Sequence, residues 1–461
     1  MPTLPPVGSR IHIIGIGGIG TSALARVLAR WGYRVSGSDA AASAVTAALV
    51  AEGIEVAIGH RAAAVAGVDL VVYSAAVREE NPELAAARAA GTATMKRAAL
   101  LGLIANGRVG LAVAGTHGKS TTSAMLAKIC VDAGRDPSFF VGAILRDFGT
   151  NARPGGGELV IVEADEYDRS FLQLFPQVAI VTNVEHDHPD IYPTYVAMER
   201  AYRDFLAQVR PGGTIILSAD DPGCAALRTQ IAAGGVAIEG YGRAVGARWR
   251  IVADGATETV LRDDGAVAIL TLTVPGEHNR RNALAALAAA AAVGIDPAVA
   301  AASLAGFSGT GRRFELKGEA RGITVIDDYA HHPTEIAVNL RAARERFPGR
   351  PLWAVFQPHT YSRTKLLLHE FAAALAGADR ILLLDIYAAR ETDTLGVGAD
   401  DIRALMPRRA EVLRAGEPGD AVDVLLGQHH EGRLAAGAVV LTLGAGDVTE
   451  IGAMLLDGLR N

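Results

Sequence analysis

Short apolar runs alternate with segments of helical periodicity along most of this chain. Near the N-terminus, residues 10–14, 34–38 and 68–73 read as strands, and 19–31, 44–52 and 82–90 as helices. Strand–helix alternation at this spacing predicts a parallel, doubly wound sheet. The pattern restarts after Ala105-Asn106-Gly107, with a strand at 111–114, a helix at 122–131 and further strands at 159–163, 178–183 and 214–218. Residues 236–274 read as short antiparallel strands and turns, and the alanine-rich 283–293 as a buried helix. A third alternating stretch places strands at 323–327, 352–356, 381–385 and 439–443. These breaks predict an α/β protein of three domains, 1–106, 107–318 and 319–461.

Composition narrows the class. A chain of 461 residues is too long for one core. Its net charge of −6, with no basic stripe, gives no electrostatic argument for nucleic acid. The two cysteines, Cys130 and Cys224, are too few for a disulfide framework and suit a reducing, cytoplasmic setting. The opening M-P-T-L-P-P-V-G-S-R has neither the charged start nor the apolar run of a signal peptide. The longest alanine-rich stretch is too short and too weakly apolar to span a bilayer, so no membrane partner is expected.

Candidate chemistry gathers where strands end. A-V-A-G-T-H-G-K-S-T-T, ending at Thr122, runs from a strand through a glycine turn into a helix. Gly115 and Gly118 let the backbone curl so that amides point inward, Lys119 adds a full charge, and the hydroxyl of Ser120 or Thr121 can hold Mg²⁺. This predicts a P-loop-type site for a nucleoside triphosphate, although only Thr116 and His117 separate the two glycines, fewer than in the common P-loop. Upstream, G-I-G-G-I-G places Gly15, Gly17 and Gly20 between a strand and a helix, and Asp39 ends the next strand. That pattern specifies a diphosphate on a helix N-terminus and a ribose on the acid. Taken alone the pattern favours NAD, so an oxidoreductase stands as the first rival to a triphosphate-using enzyme, but a UDP-sugar offers the same pyrophosphate and ribose.

Acids and histidines cluster at 163–166 and 185–188, again at strand ends. Carboxylates beside a triphosphate make sense with Mg²⁺ between them. Glu163 is the first candidate ligand and His188 the second, with a hydrogen-bonding role for His188 left open; Asp165, Glu166 and Asp187 read equally well as solvated loop acids. Asn279 and Asn282 share a helical face and could read an adenine edge, or Asn279 could cap the helix. Arg312 or Arg313 could meet phosphate and Arg363 a carboxylate.

G-T-H-G-K-S-T-T, E-A-D-E, T-N-V-E-H-D-H, G-E-H-N-R-R-N-A, G-R-R-F, D-D-Y-A-H-H-P-T-E-I and F-Q-P-H-T-Y-S-R-T, in this order, resemble the Mur ligases of peptidoglycan synthesis. The resemblance covers nearly the whole chain. It implies an N-terminal Rossmann-like domain for the UDP-sugar, a central ATPase domain and a C-terminal Rossmann-like domain for the amino acid. It implies ATP and Mg²⁺ as cofactors, with Gly115, Thr116, Gly118, Lys119, Ser120, Thr121, Asn279, Asn282, Arg312 and Asp328 around ATP. Ser120, Glu163 and His188 would hold the metal. Gly17, Gly18, Ile19, Gly20, Asp39, Ser74 and His117 would face the UDP-sugar, and Tyr329, His331, His359 and Arg363 the amino acid, with Lys119, His331 and Arg363 catalytic. Some members carry arginine where this chain has Thr360, and many have threonine where it has Ser120.

Several Mur ligases use a carbamoylated lysine in the central domain; here no lysine occurs between Lys128 and Lys317. That fits the alanine-adding branch, with UDP-N-acetylmuramate and L-alanine as substrates of a monomer or homodimer. A sister ligase attaching a recycled peptide to the same sugar, and a non-catalytic ATP switch, are the other rivals.

Overall fold

The computed structural model describes residues 4–74, 76–231, 234–255, 257–389, 391–407 and 411–461. The chain forms two compact units: Met1–His186, Thr194–Thr273 and Arg281–Ser308 make the first, and Asp187–Pro193, Val274–Arg280 and Gly309–Asn461 the second.

The first unit holds two sheets. β1 (Arg10–Ile14), β2 (Arg34–Asp39), β3 (Glu55–Ile58), β4 (Leu70–Tyr73) and β5 (Ala93–Lys96) pair in the order β3-β2-β1-β4-β5, all parallel. The order reverses direction between β1 and β4, which is where such sheets bind ligands. The helix Ile19–Arg30 follows β1 and buries Ala23, Leu24, Val27 and Leu28.

The second sheet contains β6 (Val109–Ala114), β7 (Ser138–Leu145), β8 (Thr150–Arg153), β9 (Leu159–Glu163), β10 (Val178–Val181), β11 (Thr214–Ser218), β12 (Ala237–Gly242), β13 (Trp249–Asp254), β14 (Thr257–Arg262) and β15 (Gly265–Leu270). β6 lies between β10 and β9, parallel to both. Leu111 to Ala114 are almost wholly buried, as a strand covered on both faces must be. The stretch read as antiparallel is so only in part. β12 runs parallel to β11 and to β13, and antiparallel pairing begins at β13–β14. The alanine-rich segment lies in the helix Glu277–Ala292, whose residues 283–290 are fully buried.

The second unit carries β16 (Glu315–Ala320), β17 (Ile323–Asp328), β18 (Leu352–Phe356), β19 (Arg380–Leu383), β20 (Glu411–Arg414) and β21 (Val439–Leu443) in the order β16-β17-β21-β18-β19-β20. Only β16 is antiparallel to its neighbour. Trp353 and Val355 of β18 pack into one core, and Leu352, Ala354 and Phe356 into another. That period-two split is what a sheet covered on both faces requires. Among the described residues no helix is long and apolar enough to cross a membrane.

Candidate active site

β6 delivers the chain into the phosphate loop. Gly115 has φ +132°, and a Cβ there would overlap Thr182 Oγ1. Gly118 has φ +81°, and a Cβ there would stand 2.7 Å from Asn282 Oδ1. The helix begins at Lys119, three residues earlier than the sequence pattern suggested, because Gly118 already serves as its N-cap. The loop is tied to the end of β10. His117 N–H donates to Asn183 Oδ1 (2.9 Å), Asn183 Nδ2 donates to His117 O (3.0 Å), and Thr116 N–H donates to Asn183 O (3.1 Å). Thr116 Oγ1 donates to Glu185 O and accepts from Glu185 N–H. His117 Nε2 is 3.2 Å from Glu185 Oε2, so the loop histidine faces the acidic run after β10.

Lys119 Nζ donates to Gly115 O (2.6 Å), Thr116 O (3.1 Å) and Glu166 Oε1 (2.9 Å). Burial pulls the ammonium down, but Glu166, Asp165 and Glu163 outweigh it and hold the pKa above the usual lysine value. Ser120 Oγ donates to Glu163 Oε1 (3.0 Å), and Gly142 N–H donates to Glu163 Oε2 (2.6 Å). Burial raises the Glu163 carboxyl above the ordinary range, against the Gly142 amide and Lys119. Thr121 is buried one residue further along the helix. The reading of Glu166 as a solvated loop acid fails: its side chain is buried and neutralises Lys119.

At the first sheet's reversal point, Gly15 N–H and Ile16 N–H donate to Ser38 O, and Gly17 N–H donates to Asp39 Oδ2 (2.8 Å). Asp39 therefore grips the glycine loop itself. A Cβ at Gly15 would lie 3.7 Å from Ser74 Oγ, so β1 and β4 bring these two positions together. Gly18 caps the helix with no side-chain hydrogen bond, Ile19 is half exposed, and Gly20 follows in the first turn. Beneath the loop lies a buried network that sequence reasoning missed. Ser38 Oγ donates to Glu83 Oε2 (2.5 Å), His60 Nδ1 is 3.0 Å from Ser38 Oγ, and His12 Nε2 is 3.4 Å from Glu83 Oε2. Burial would raise Glu83, but the nearby His12 ring and hydrogen bonds from the Ser38 side chain and the Arg61 amide bring it down to about 2.

In the second unit, β17 ends in Asp327 and Asp328. Asp327 is buried against Arg312 Nε (3.1 Å), Thr442 Oγ1 (2.7 Å) and Thr449 Oγ1 (2.9 Å). Arg312 thus spends its charge inside the protein, and its Nη2 donates to Gly444 O. Asp328 accepts from Phe314 N–H and Ala330 N–H, yet burial pushes its pKa up to about 6. Tyr329 and His331 meet edge to face, and the guanidinium carbons of Arg312 and Arg313 lie 4.9 and 5.4 Å from the Tyr329 ring centre. Burial first, then Arg363, lowers His331 to about 3 and His359 to about 4, so both rings are neutral near pH 7. His331 Nδ1 lies 2.9 Å from Tyr329 O, which assigns the ring proton to Nδ1 and leaves Nε2 as an acceptor.

Arg363 is buried. Its Nε and Nη2 reach Asp187 Oδ1 at 2.9 and 2.8 Å, and its Nη1 donates to His359 O. Asp187 is therefore no solvated acid either. Burial would raise its pKa, but Arg363 and the neighbouring histidines hold it far below the carboxylate range. His188 has φ +52° and places Nε2 3.7 Å from Asp187 Oδ2. Asn279 Nδ2 donates to Pro275 O (2.7 Å), fixing the start of its helix. Thr360 Oγ1 donates to Glu391 Oε1 (2.8 Å), and Ser362 Oγ reaches the same carboxylate.

A lysine-bearing glycine loop between a strand and a helix, beside an acid-rich strand edge, defines an α/β nucleotide-binding protein, and sequence comparison gives it a family. The profile described as "Mur ligase family, catalytic domain" matches residues 10–109, "Mur ligase middle domain" 113–290, and "Mur ligase, glutamate ligase domain" 312–446. The chain belongs to the Mur ligase family, ATP-dependent ligases that form amide bonds.

Among its relatives, the UDP-N-acetylmuramate–L-alanine ligase of Renibacterium salmoninarum is 45% identical over 454 residues, covering 98% of this chain and 96% of the relative. The enzyme of the same name from Frankia casuarinae is 41% identical over 490 residues, covering 97% of each. The structure is similar to the UDP-N-acetylmuramate–alanine ligase of Thermotoga maritima, with a TM-score of 0.80 and 28% identity over 97% of this chain and 98% of that one.

Proposed function

We propose that the chain joins L-alanine to the lactyl carboxylate of UDP-N-acetylmuramate, with ATP converted to ADP and phosphate. The observation that carries this reading is full-length similarity, at 41% and 45% identity, to proteins named for that reaction. The residues supply a consistent chemistry. A carboxylate is a poor electrophile. Transfer of the γ-phosphoryl group to one of its oxygens releases ADP and leaves an acyl phosphate. The amine of L-alanine then attacks the carbonyl carbon, phosphate departs, and the amine loses a proton.

Lys119, held beneath the loop by two carbonyls and Glu166, is preset to neutralise charge on the phosphates. Gly115, Thr116, Gly118 and Thr121 shape that loop, and Asn282 lies against it. Asn279, Arg312 and Asp328 complete the residues assigned to ATP. Arg312 acts there by fixing the strand ends through Asp327 and Gly444. Ser120 and Glu163 fit Mg²⁺: a hydroxyl and a carboxylate, both hard oxygen donors, stand 3.0 Å apart beside the lysine. His188 is proposed as the further ligand. When bound, the ion would screen the phosphoryl oxygens during transfer.

Gly17, Gly18, Ile19, Gly20, Asp39, Ser74 and His117 are assigned to the UDP-sugar. Tyr329, His331, His359 and Arg363 are assigned to the amino acid. A ring held near pKa 3 is a weak base. His331 therefore orients the attacking amine through Nε2 rather than storing its proton. Phosphate release measured with ATP, Mg²⁺, UDP-N-acetylmuramate and a panel of amino acids and the murein tripeptide tests the reading. L-alanine should give the fastest turnover; release with the tripeptide but not with L-alanine would overturn it.

A further inference from the structure

The stretch after β18 carries His359 and Arg363, two of the residues assigned to the amino acid. Arg363 stands on a helix of six residues, Tyr361–Leu366, and its Nη1 donates to His359 O (2.7 Å), so the two move together. The first amides of a helix need acceptors, which the N-cap side chain commonly supplies. Thr360 is the N-cap here, yet it makes no side-chain capping bond, and the first turn holds no acid. The Thr360 hydroxyl is turned to Glu391 instead, donating to Oε1 (2.8 Å).

Glu391 caps this helix from a distant part of the chain. Its Oε2 accepts from Ser362 N–H (3.0 Å), and its Oε1 accepts from the Ser362 hydroxyl as well as from Thr360. A negative charge is what the start of a helix favours. Burial would raise this carboxyl, but the Ser362 side chain and amide, the Thr360 side chain and the Tyr361 backbone hold it below the usual carboxylate value. The chain leading to Glu391 grips the same stretch. Leu384 N–H donates to Phe356 O and Tyr387 N–H to Pro358 O, both at 2.9 Å. Tyr387 and His359 form a parallel bridge, and their rings stack with centres 5.7 Å apart. Among the described residues, neither apolar core of this unit takes a side chain from 358–363 or 385–391. Polar ties rather than core packing therefore set where His359 and Arg363 stand.

We propose that Glu391 is a positioning residue for amino-acid binding: through Thr360 and Ser362 it fixes the turn from which His359 and Arg363 meet the amino acid. This rests on the assignment of those two residues to that substrate. It also gives a task to Thr360, at a position where some Mur ligases carry arginine: the threonine tethers the turn to Glu391.

The test is steady-state phosphate release by the full chain, with L-alanine, ATP and UDP-N-acetylmuramate varied in turn. The natural protein is compared with Glu391→Ala, Glu391→Gln and the double variant Thr360→Val, Ser362→Ala. Glu391→Ala should raise the KM for L-alanine about ten- to a hundredfold while kcat changes little. The KM values for the other two substrates and the melting temperature should stay as they are. Glu391→Gln keeps an acceptor for the Ser362 amide and should recover part of the loss. The double variant keeps the carboxylate but removes both hydroxyls, and it should raise the KM for L-alanine in the same direction. An unchanged KM for L-alanine in Glu391→Ala would overturn the proposal. So would a natural KM in the double variant beside an impaired Glu391→Ala, because the carboxylate would then act on the substrate directly. A rise in all three KM values with a lower melting temperature would reduce Glu391 to a structural role. If the natural protein released no phosphate with L-alanine, the substrate assignment itself would fall, and the inference with it.

Discussion

At the scale of single residues, what matters is which charges the protein has already spent. Lys119 is caged by two carbonyls and Glu166. Lys119→Met should cut amide synthesis by at least about a thousandfold, measured as kcat/KM in the phosphate-release assay, because the charge acts on the transferring phosphoryl group. Glu83 is spent differently: it is lowered from 4.5 to about 2 by groups under the glycine loop. A depressed carboxyl contributes stability that is fully present above its unfolded value and lost as the pH falls through the folded one. Glu83→Gln should therefore lower the melting temperature near pH 7, and the deficit should shrink as denaturation curves are taken from pH 5 toward pH 2. A deficit constant across that range would contradict the assignment.

Lys119 and its glycines were legible because a phosphate cradle needs those residue types in a fixed order. Glu166, Asp187 and Glu83 were not. Nothing in the acidic runs around Glu166 and Asp187 says which acid folds inward to meet a cation from elsewhere in the chain, and nothing beside Glu83 announces Ser38, His12 and the Arg61 amide as its partners.

At the scale of elements, the glycine turns decide the site. Gly115 combines φ +132° with a Cβ position already filled by Thr182 Oγ1. Gly115→Ala must distort the loop as well as strain it. The expected result is loss of measurable ATP binding by calorimetry with the far-ultraviolet circular dichroism spectrum retained. Normal ATP affinity would show that the loop tolerates the shift. Periodicity read the central strands well, since β6, β9, β17 and β18 are predominantly apolar and largely buried, the acids of β9 and β17 coming only at their C-terminal ends. It missed β3, β5, β8 and β20, edge strands of four residues whose half-exposed faces carry little apolar signal, and it also missed the longer β7 and β16. It also read β12 as antiparallel. Alternation reports that a strand has two different faces, but not the direction of its neighbour.

At the scale of the whole molecule, the class of fold was legible from strand–helix alternation, because each parallel connection needs a helix of its own. The pairing order was not, since strands far apart in sequence meet, as β17 and β21 do. β18 lies at the centre of the second unit, with Trp353 fully buried in one of its two cores. Trp353→Ala should destabilise that unit by about 3–5 kcal/mol, read as a lower midpoint in urea. A shift below about 1 kcal/mol would mean the core refills around the loss.

The central claim is that ATP activates the sugar's own carboxylate. UDP-N-acetylmuramate labelled with heavy oxygen in its lactyl carboxylate, turned over with ATP and L-alanine, tests it by mass spectrometry of the released phosphate. An acyl phosphate transfers one labelled oxygen from the carboxylate to phosphate at each turnover. Phosphate that carries no label while the amide accumulates would contradict the account.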